Sequence, residues 1–385
     1  MKVGVTLFVQ NYSDWDRFEA AERGEPVASR PAYSDQKRFH DDLAVAKAVE
    51  PLGYDSVWTV EHHFTPYTMV TNPLQYLSYI AGCTEKVDLG TMVVVLPWHH
   101  PVRVAEDIAM LDSFMGPNRN LHVGLGRGLG RREFNGFGVD MSQTREMFSE
   151  SLEVITKALS NDVFSHHGRY WNIDNLAIRP TPPKKRGLKD FYGAWGSPSS
   201  AEHVARAGVK PLIIPQRAWE DYIDEMKGFR KFREDAGFKE KVAPKVAVWC
   251  YCAKTEEEAR RGGHQYMAEY GNSALRHYEI LGSHFGKIKG YESYAAGADM
   301  MKQIPADQIM KANGDMMIEN NVWGTPKMCV EKMKRIADSF DPSEVMLIFS
   351  FGNITHEEAM KSMTLFAKEC LPEVRSWKTA QNALV

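Results

Sequence analysis

The chain has little cysteine, and what it has is scattered. Its five residues (Cys83, Cys250, Cys252, Cys329 and Cys370) are odd in number and form no C-x-x-C pair. That argues against a cysteine metal site and fits a reducing compartment. Long apolar runs are missing too. No segment approaches the roughly 20 apolar residues of a membrane span, and the opening MKVGVTLFVQ is too short an apolar stretch for a signal peptide. Neither charge is in excess: 47 Lys and Arg stand against 50 Asp and Glu, a net charge of -3. That balance argues against nucleic acid or an anionic membrane as the principal partner. The sequence thus reads as a soluble, cytoplasmic protein.

What is present is alternation. Short apolar segments at residues 3–8, 56–60, 87–96, 121–125, 190–195, 210–214, 245–252 and 345–349 read as strands, with helical stretches between them. Phe39, Leu43, Ala46 and Val49 share one helical face, and Asn72 caps a helix opened by Pro73. Residues 11–33 are polar and irregular, 164–173 suggest a small polar hairpin, and 283–299 are glycine-rich and aromatic without a clear period. Eight strands alternating with helices predict an α/β fold, a (β/α)8 TIM barrel with insertions. We expect one domain over residues 1–385, with insertions at about 9–34 and at 283–320, the second a lid. An open doubly wound sheet would need a glycine-rich turn after its first strand, and Phe8-Val9-Gln10-Asn11 supplies none.

The chemistry gathers around residues 120–138, NLHVGLGRGLGRREFNGFG. A short apolar strand breaks there into alternating glycines, and Arg127, Arg131 and Arg132 stand at its open end. No register gives G-x-G-x-x-G, so a dinucleotide fingerprint is absent. An arginine among glycines offers a fork of donors suited to phosphate, the alternative being a plain turn with solvated arginines. Barrel active sites lie at the C-terminal ends of the strands. Arg127, His62, His63, Trp98 and Ser197 to Ser200 all fall at such ends. The serines precede a helix, where they could serve an anion or simply cap. His62 and His63 are candidates for acid–base work near neutral pH. The pairs His62-His63, His99-His100 and His166-His167 do not suggest a metal, since neighbours on a strand diverge and no H-E-x-x-H is present. His166-His167 reads as surface.

Three longer stretches carry a resemblance: VEHHFTPYTMVTNP, LGTMVVVLPWHHPVRVAEDIAMLDSF and VGLGRGLGRREFNGFGVDMSQTREMF. With GSPSSAEHVARAG, NNVWGTPKMCVEKM and EVMLIFSFGNITHEEAMKSM following in order, the chain resembles the bacterial luciferase-like flavin-dependent monooxygenases, closest in pattern to the luciferase α subunit. The resemblance implies a barrel that takes FMN as FMNH2 from a separate NAD(P)H:flavin reductase. It also implies reaction with O2 to a flavin C4a-hydroperoxide, oxygenation of a small organic substrate, and a homodimer. Carried over, Arg127, Ser197 and Ser200 would hold the FMN phosphate and His62 would be the acid–base residue. Met92-Val93 would be a cis peptide beneath the flavin ring. Residues 283–299, with Lys287 and Tyr291, would be a shielding loop, and His63 and Trp98 would shape the substrate pocket. Gly126 stands where a luciferase has a reactive cysteine, and Gly196 where it has a glutamate, so an oxygenase on another substrate is expected. The other readings are a deazaflavin-dependent oxidoreductase and a non-catalytic flavin-binding or partner subunit.

Overall fold

The structure, a computed structural model, describes residues 1–31, 34–215, 218–280, 282–292, 294 and 304–378, without the side chains of Ser283 and Lys287. Strands β1 (Lys2–Leu7), β2 (Ser56–Thr59), β3 (Asp88–Val95) and β4 (Leu121–Gly126) run side by side in parallel. β5 (Phe164–His167) and β6 (Asn172–Leu176) form a separate antiparallel hairpin. β7 (Phe191–Ala194), β8 (Lys210–Ile213) and β9 (Lys245–Cys252) resume the parallel sheet. β10 (Val322–Gly324) pairs with the last three residues of β9, and β11 (Glu344–Ile348) lies between β9 and β1. Since β8 also pairs with β9, eight parallel strands close into a barrel, the (β/α)8 architecture read from the sequence. β10, an addition to that set, was not foreseen.

Alternation sorts the side chains into two cores. Val3, Val5 and Leu7 of β1 and Val246, Val248 and Cys250 of β9 face the helices, while Trp58, Ala247, Trp249 and Met346 fill the interior. Every residue of β9 and β11 is buried. Such strands look uniformly apolar because both faces are covered. Glycine makes room for the largest interior ring: a Cβ at Gly90 would lie 2.4 Å from the Trp58 indole. The N-terminal end of the interior is closed by polar side chains. Lys245 contacts Glu344, which accepts from Ser56, and Lys2 pairs with Asp88 at 3.1 Å.

The helices are α1 (Trp15–Glu22), α2 (Ser34–Val49), α3 (Pro73–Ala81), α4 (Pro101–Met115), α5 (Arg131–Phe137), α6 (Thr144–Ser160) and α7 (Pro198–Arg206). They continue with α8 (Trp219–Asp235), α9 (Glu256–Tyr278), α10 (Ala306–Asn320), α11 (Pro326–Phe340), α12 (His356–Glu369) and α13 (Leu371–Ser376). Asn72 caps α3 as expected, accepting from the Gln75 amide at 2.9 Å. Residues 11–33 are not irregular throughout. Trp15 and the charges of α1 bind it to α9: Trp15 Nε1 donates to Ser273 Oγ at 2.6 Å, and Arg276 pairs with Glu19 at 2.7 Å. Likewise α10 occupies part of the stretch expected as lid. Residues 295–299 of the expected shielding loop lie outside the described residues. Among the described residues, no helix is long and apolar enough to cross a membrane.

Candidate active site

β4 ends at Gly126, and the next residue, Arg127, turns over the barrel mouth. Its Nη2 donates to the Gly290 carbonyl at 3.0 Å and to Ser200 Oγ at 3.4 Å, and its guanidinium lies 4.1 Å from the centre of the Tyr291 ring. Arg145, in the first turn of α6, comes to the same place and donates to Ser199 Oγ at 3.4 Å. Neither arginine has a carboxylate partner among the described residues, and Arg127 Nη1 and Arg145 Nε are buried without any partner. The local field is correspondingly positive. Burial first, then Arg145 and Arg127, pushes neighbouring His203 down to about 4. Two guanidiniums, the serine hydroxyls and the N-terminal end of α7 thus offer a donor set suited to an anion. Ser197, the cap residue of α7, makes no side-chain cap; its hydroxyl donates to Ser200 Oγ at 3.0 Å. The other two arginines of the glycine-rich stretch are engaged elsewhere, Arg131 with Glu279 and Arg132 with Glu22.

Across the mouth, His62 sits in a buried polar cluster. Its Nδ1 lies 3.0 Å from Glu133 Oε1 and 3.1 Å from His277 Nε2, and its Nε2 is 3.2 Å from the Tyr278 hydroxyl. His277 Nδ1 is 2.7 Å from Thr65 Oγ1. The network limits the tautomers. If Thr65 donates to His277 Nδ1, then His277 carries its proton on Nε2, 3.1 Å from His62 Nδ1 and 3.5 Å from Glu133 Oε2. Where that proton turns to Glu133, His62 Nδ1–H does too and His62 Nε2 is left to accept a proton. Where it turns to His62 Nδ1, His62 carries its own proton on Nε2. Burial alone would raise the Glu133 carboxyl; His277 and His62 outweigh it and hold the group well below the usual carboxylate range. Burial keeps His277 below the ordinary histidine value despite Glu133. The donor atoms of His62, Glu133 and His277 lie within 4.8 Å of one another, as a metal site would require. Their mutual hydrogen bonds equally describe an acid–base cluster, and the sequence spacing of the three could not have shown it.

His63 diverges from His62, as neighbours do. It turns to Glu61 at 3.2 Å and packs edge-on against Trp98, and it lines neither cavity on this rim. The buried Glu61 also accepts from His99 at 2.5 Å and from the Val95 amide at 2.7 Å. His166 is buried, 3.3 Å from Glu150, rather than on the surface as the sequence suggested; strand alternation leaves only His167 exposed.

Two cavities share this rim. The first, 150 Å³, is lined by His62, Met92, Val93, Trp98, Gly126, Arg127, Arg145 and Ser200, with Tyr278, Tyr291 and Tyr294 above. The Met92–Val93 peptide bond is cis. A Cβ on Gly126 would fall 2.3 Å from Val93 Cγ2, so glycine lets these two strand ends close up. Tyr291 is buried, donating to the Gly128 carbonyl at 3.0 Å. The second cavity, 610 Å³, lies beyond Tyr278 and Gly196, between β9, α9 and α10, and Ser197 faces it. The side chain of Lys287 lies outside the described residues. Of the expected set, the rim thus brings together His62, Met92, Val93, Trp98, Gly126, Arg127, Ser200 and Tyr291. Arg145, Glu133, His277 and the larger cavity were not anticipated; MSQTREMF reads only as a helix start.

Comparison with known proteins agrees with this geometry. The family model described as luciferase-like monooxygenase matches residues 22–341. The alkanal monooxygenase alpha chain of the Kryptophanaron alfredi symbiont is 26% identical over 352 residues, covering 90% of this chain and 96% of that one. The oxygenase component of the flavin-dependent trigonelline monooxygenase of Acinetobacter baylyi is 25% identical over 241 residues, 61% of this chain and 65% of the relative. Among solved structures, monooxygenase RslO1 from Streptomyces bottropensis superposes with a TM-score of 0.73 at 25% identity, covering 97% of this chain and 99% of that one.

Proposed function

The chain belongs to the luciferase-like monooxygenase family, and from that premise we propose that it is the oxygenase of a two-component system. In this reading it takes FMNH2 from a separate NAD(P)H:flavin reductase and oxygenates a small organic substrate. A flavin-dependent monooxygenase is what the family and the A. baylyi oxygenase component support. The observation that carries the finer reading is the pair Arg127 and Arg145, converging with buried, unpartnered N–H groups and with no carboxylate partner among the described residues. That donor set fits the phosphate of FMN, with Ser200 and the start of α7 completing it.

Bound reduced FMN would supply two electrons and activate O2, one oxygen atom going to the substrate and the other leaving as water. The protein's part is to hold and shield. Arg127, Arg145 and Ser200 fix the phosphate end. Met92 and Val93 lie under the cavity, Tyr278 and Tyr291 exclude water from above, and His62 Nε2 holds or accepts a proton at its edge.

The test is stopped-flow mixing of the anaerobic protein–FMNH2 complex with O2. Return of the oxidised-flavin spectrum should be delayed relative to free FMNH2, and Arg127→Ala should weaken FMNH2 binding roughly ten- to hundredfold, the worth of charge-assisted hydrogen bonds. Undelayed oxidation together with unchanged affinity in Arg127→Ala would sink the proposal. A clear preference for a deazaflavin in the same titration would replace FMN.

A further inference from the structure

We propose that the 610 Å³ cavity is the substrate chamber, and that its substrate is a neutral, multi-ring aromatic compound carrying a carbonyl oxygen. The substrate role rests on the flavin reading above; the ligand class rests on the cavity itself.

Four observations bear on it. The chamber adjoins the flavin-side cavity, with Gly196, Tyr278 and Tyr294 lining both. A molecule in it therefore reaches the same tyrosine that faces His62. No Asp, Glu, Lys, Arg or His stands among its described lining residues, so the described wall offers a carboxylate, phosphate or amine no charged partner. One wall is rigid and aromatic: Trp249 and Tyr270 lie 4.3 Å apart between ring centres at 41°, and the hydroxyl of Tyr270 is tied to that of Tyr67. The facing wall carries Met316 and Met317 of α10, flexible side chains that adapt to flat rings. Finally, two lining residues carry buried N–H donors with no partner, Trp249 Nε1 and Asn313 Nδ2, which a ligand acceptor would satisfy once the side chain turns toward it. An apolar pocket with a few unspent donors orients a ligand by its acceptor atom. A carbonyl supplies that acceptor without bringing charge. The volume is that of a pocket for a multi-ring compound rather than for a one- or two-carbon fragment.

The experiment is calorimetric titration of the flavin-free full chain with four probes: 9-fluorenone, fluorene, 9-oxofluorene-4-carboxylate and decanal. Fluorenone should bind at least tenfold more tightly than the carboxylate and decanal, and about fivefold or more tightly than fluorene. In Trp249→Phe the advantage of fluorenone over fluorene should disappear while fluorene affinity holds; Asn313→Leu provides the same comparison should the first variant fold poorly. Met316→Trp, which puts an indole into the chamber where fluorenone would lie, should weaken fluorenone binding at least tenfold. Equal or tighter binding of the carboxylate or decanal, or an undiminished fluorenone advantage in both donor variants, overturns the ligand class. Fluorenone binding weakened less than tenfold by Met316→Trp overturns the location. Normal FMNH2 binding and delayed oxidation with no fluorenone binding overturns this proposal alone. Fluorenone binding with no flavin effect overturns the substrate role and leaves the ligand class standing.

Discussion

A methyl group at position 126 would stand 2.3 Å from Val93 Cγ2, so the residue there is fixed by the neighbouring strand before chemistry is considered. Gly126→Cys should push Val93 into the flavin-side cavity, with overpacking of about 1–3 kcal/mol. A lower melting temperature and flavin affinity weakened about tenfold are expected, read by thermal melt and fluorescence titration; no change in either would mean Val93 yields freely. His277 carries a pH signature. Its folded-state pKa is lowered, so the unfolded chain binds its proton more readily. The stability it contributes is present above the ordinary histidine value of 6.5 and is lost as pH falls below it. Glu133, also lowered, adds loss of the same sign further into acid. The unfolding free energy from urea titration should fall between pH 6.5 and 5 by up to about 1.4 kcal/mol per pH unit, and His277→Gln should flatten that slope. An unflattened slope would remove His277 from the account. Of these residues, His62 and Arg127 were legible because strand ends announce themselves. Glu133 and His277 were not, because their partners lie far away in sequence and only the closed barrel joins them.

The loop carrying Tyr291 is held down by a small apolar cluster of its own, Phe285 and Tyr291 against Phe134 and Met141, and by the stacking of Tyr291 on Arg127. Two opposed effects should follow from Tyr291→Ala. FMNH2 association should speed up several-fold because no ring has to leave the arginine. Oxidation of the bound flavin should also become faster because water enters. Stopped-flow traces separate the two, and a slower association would contradict this account. At this scale the sequence was readable where periodicity is strong, as in α2 or β3. It misled at residues 11–33: a helix as short as α1 has too few turns to show a period, and what holds it, Ser273 and Arg276, is contributed by α9.

Closure of the barrel joins β11, the last strand, to β1, the first, in a register such as Val3 with Val345. Eight apolar segments can be counted along the chain, but register and closure depend on pairings between distant strands, and β10 is three residues long, too brief to signal itself. The buried contact of Lys245 with Glu344 spans β9 and β11. Lys245→Met leaves a carboxylate buried without its cation and should cost about 3–5 kcal/mol in urea unfolding, with flavin affinity unchanged because the pair lies at the opposite end of the barrel. A loss below about 1 kcal/mol would show that water reaches Glu344. The Gly290 carbonyl on Arg127 has a consequence for the molecule as a whole. It is a ligand attached to its own receptor, present at an effective concentration set by the chain and not by the solution. Dilution of the protein cannot relieve it. On the reading proposed above, in which Arg127 holds the flavin phosphate, the flavin's apparent affinity is its intrinsic affinity scaled by the fraction of time the tether lets go.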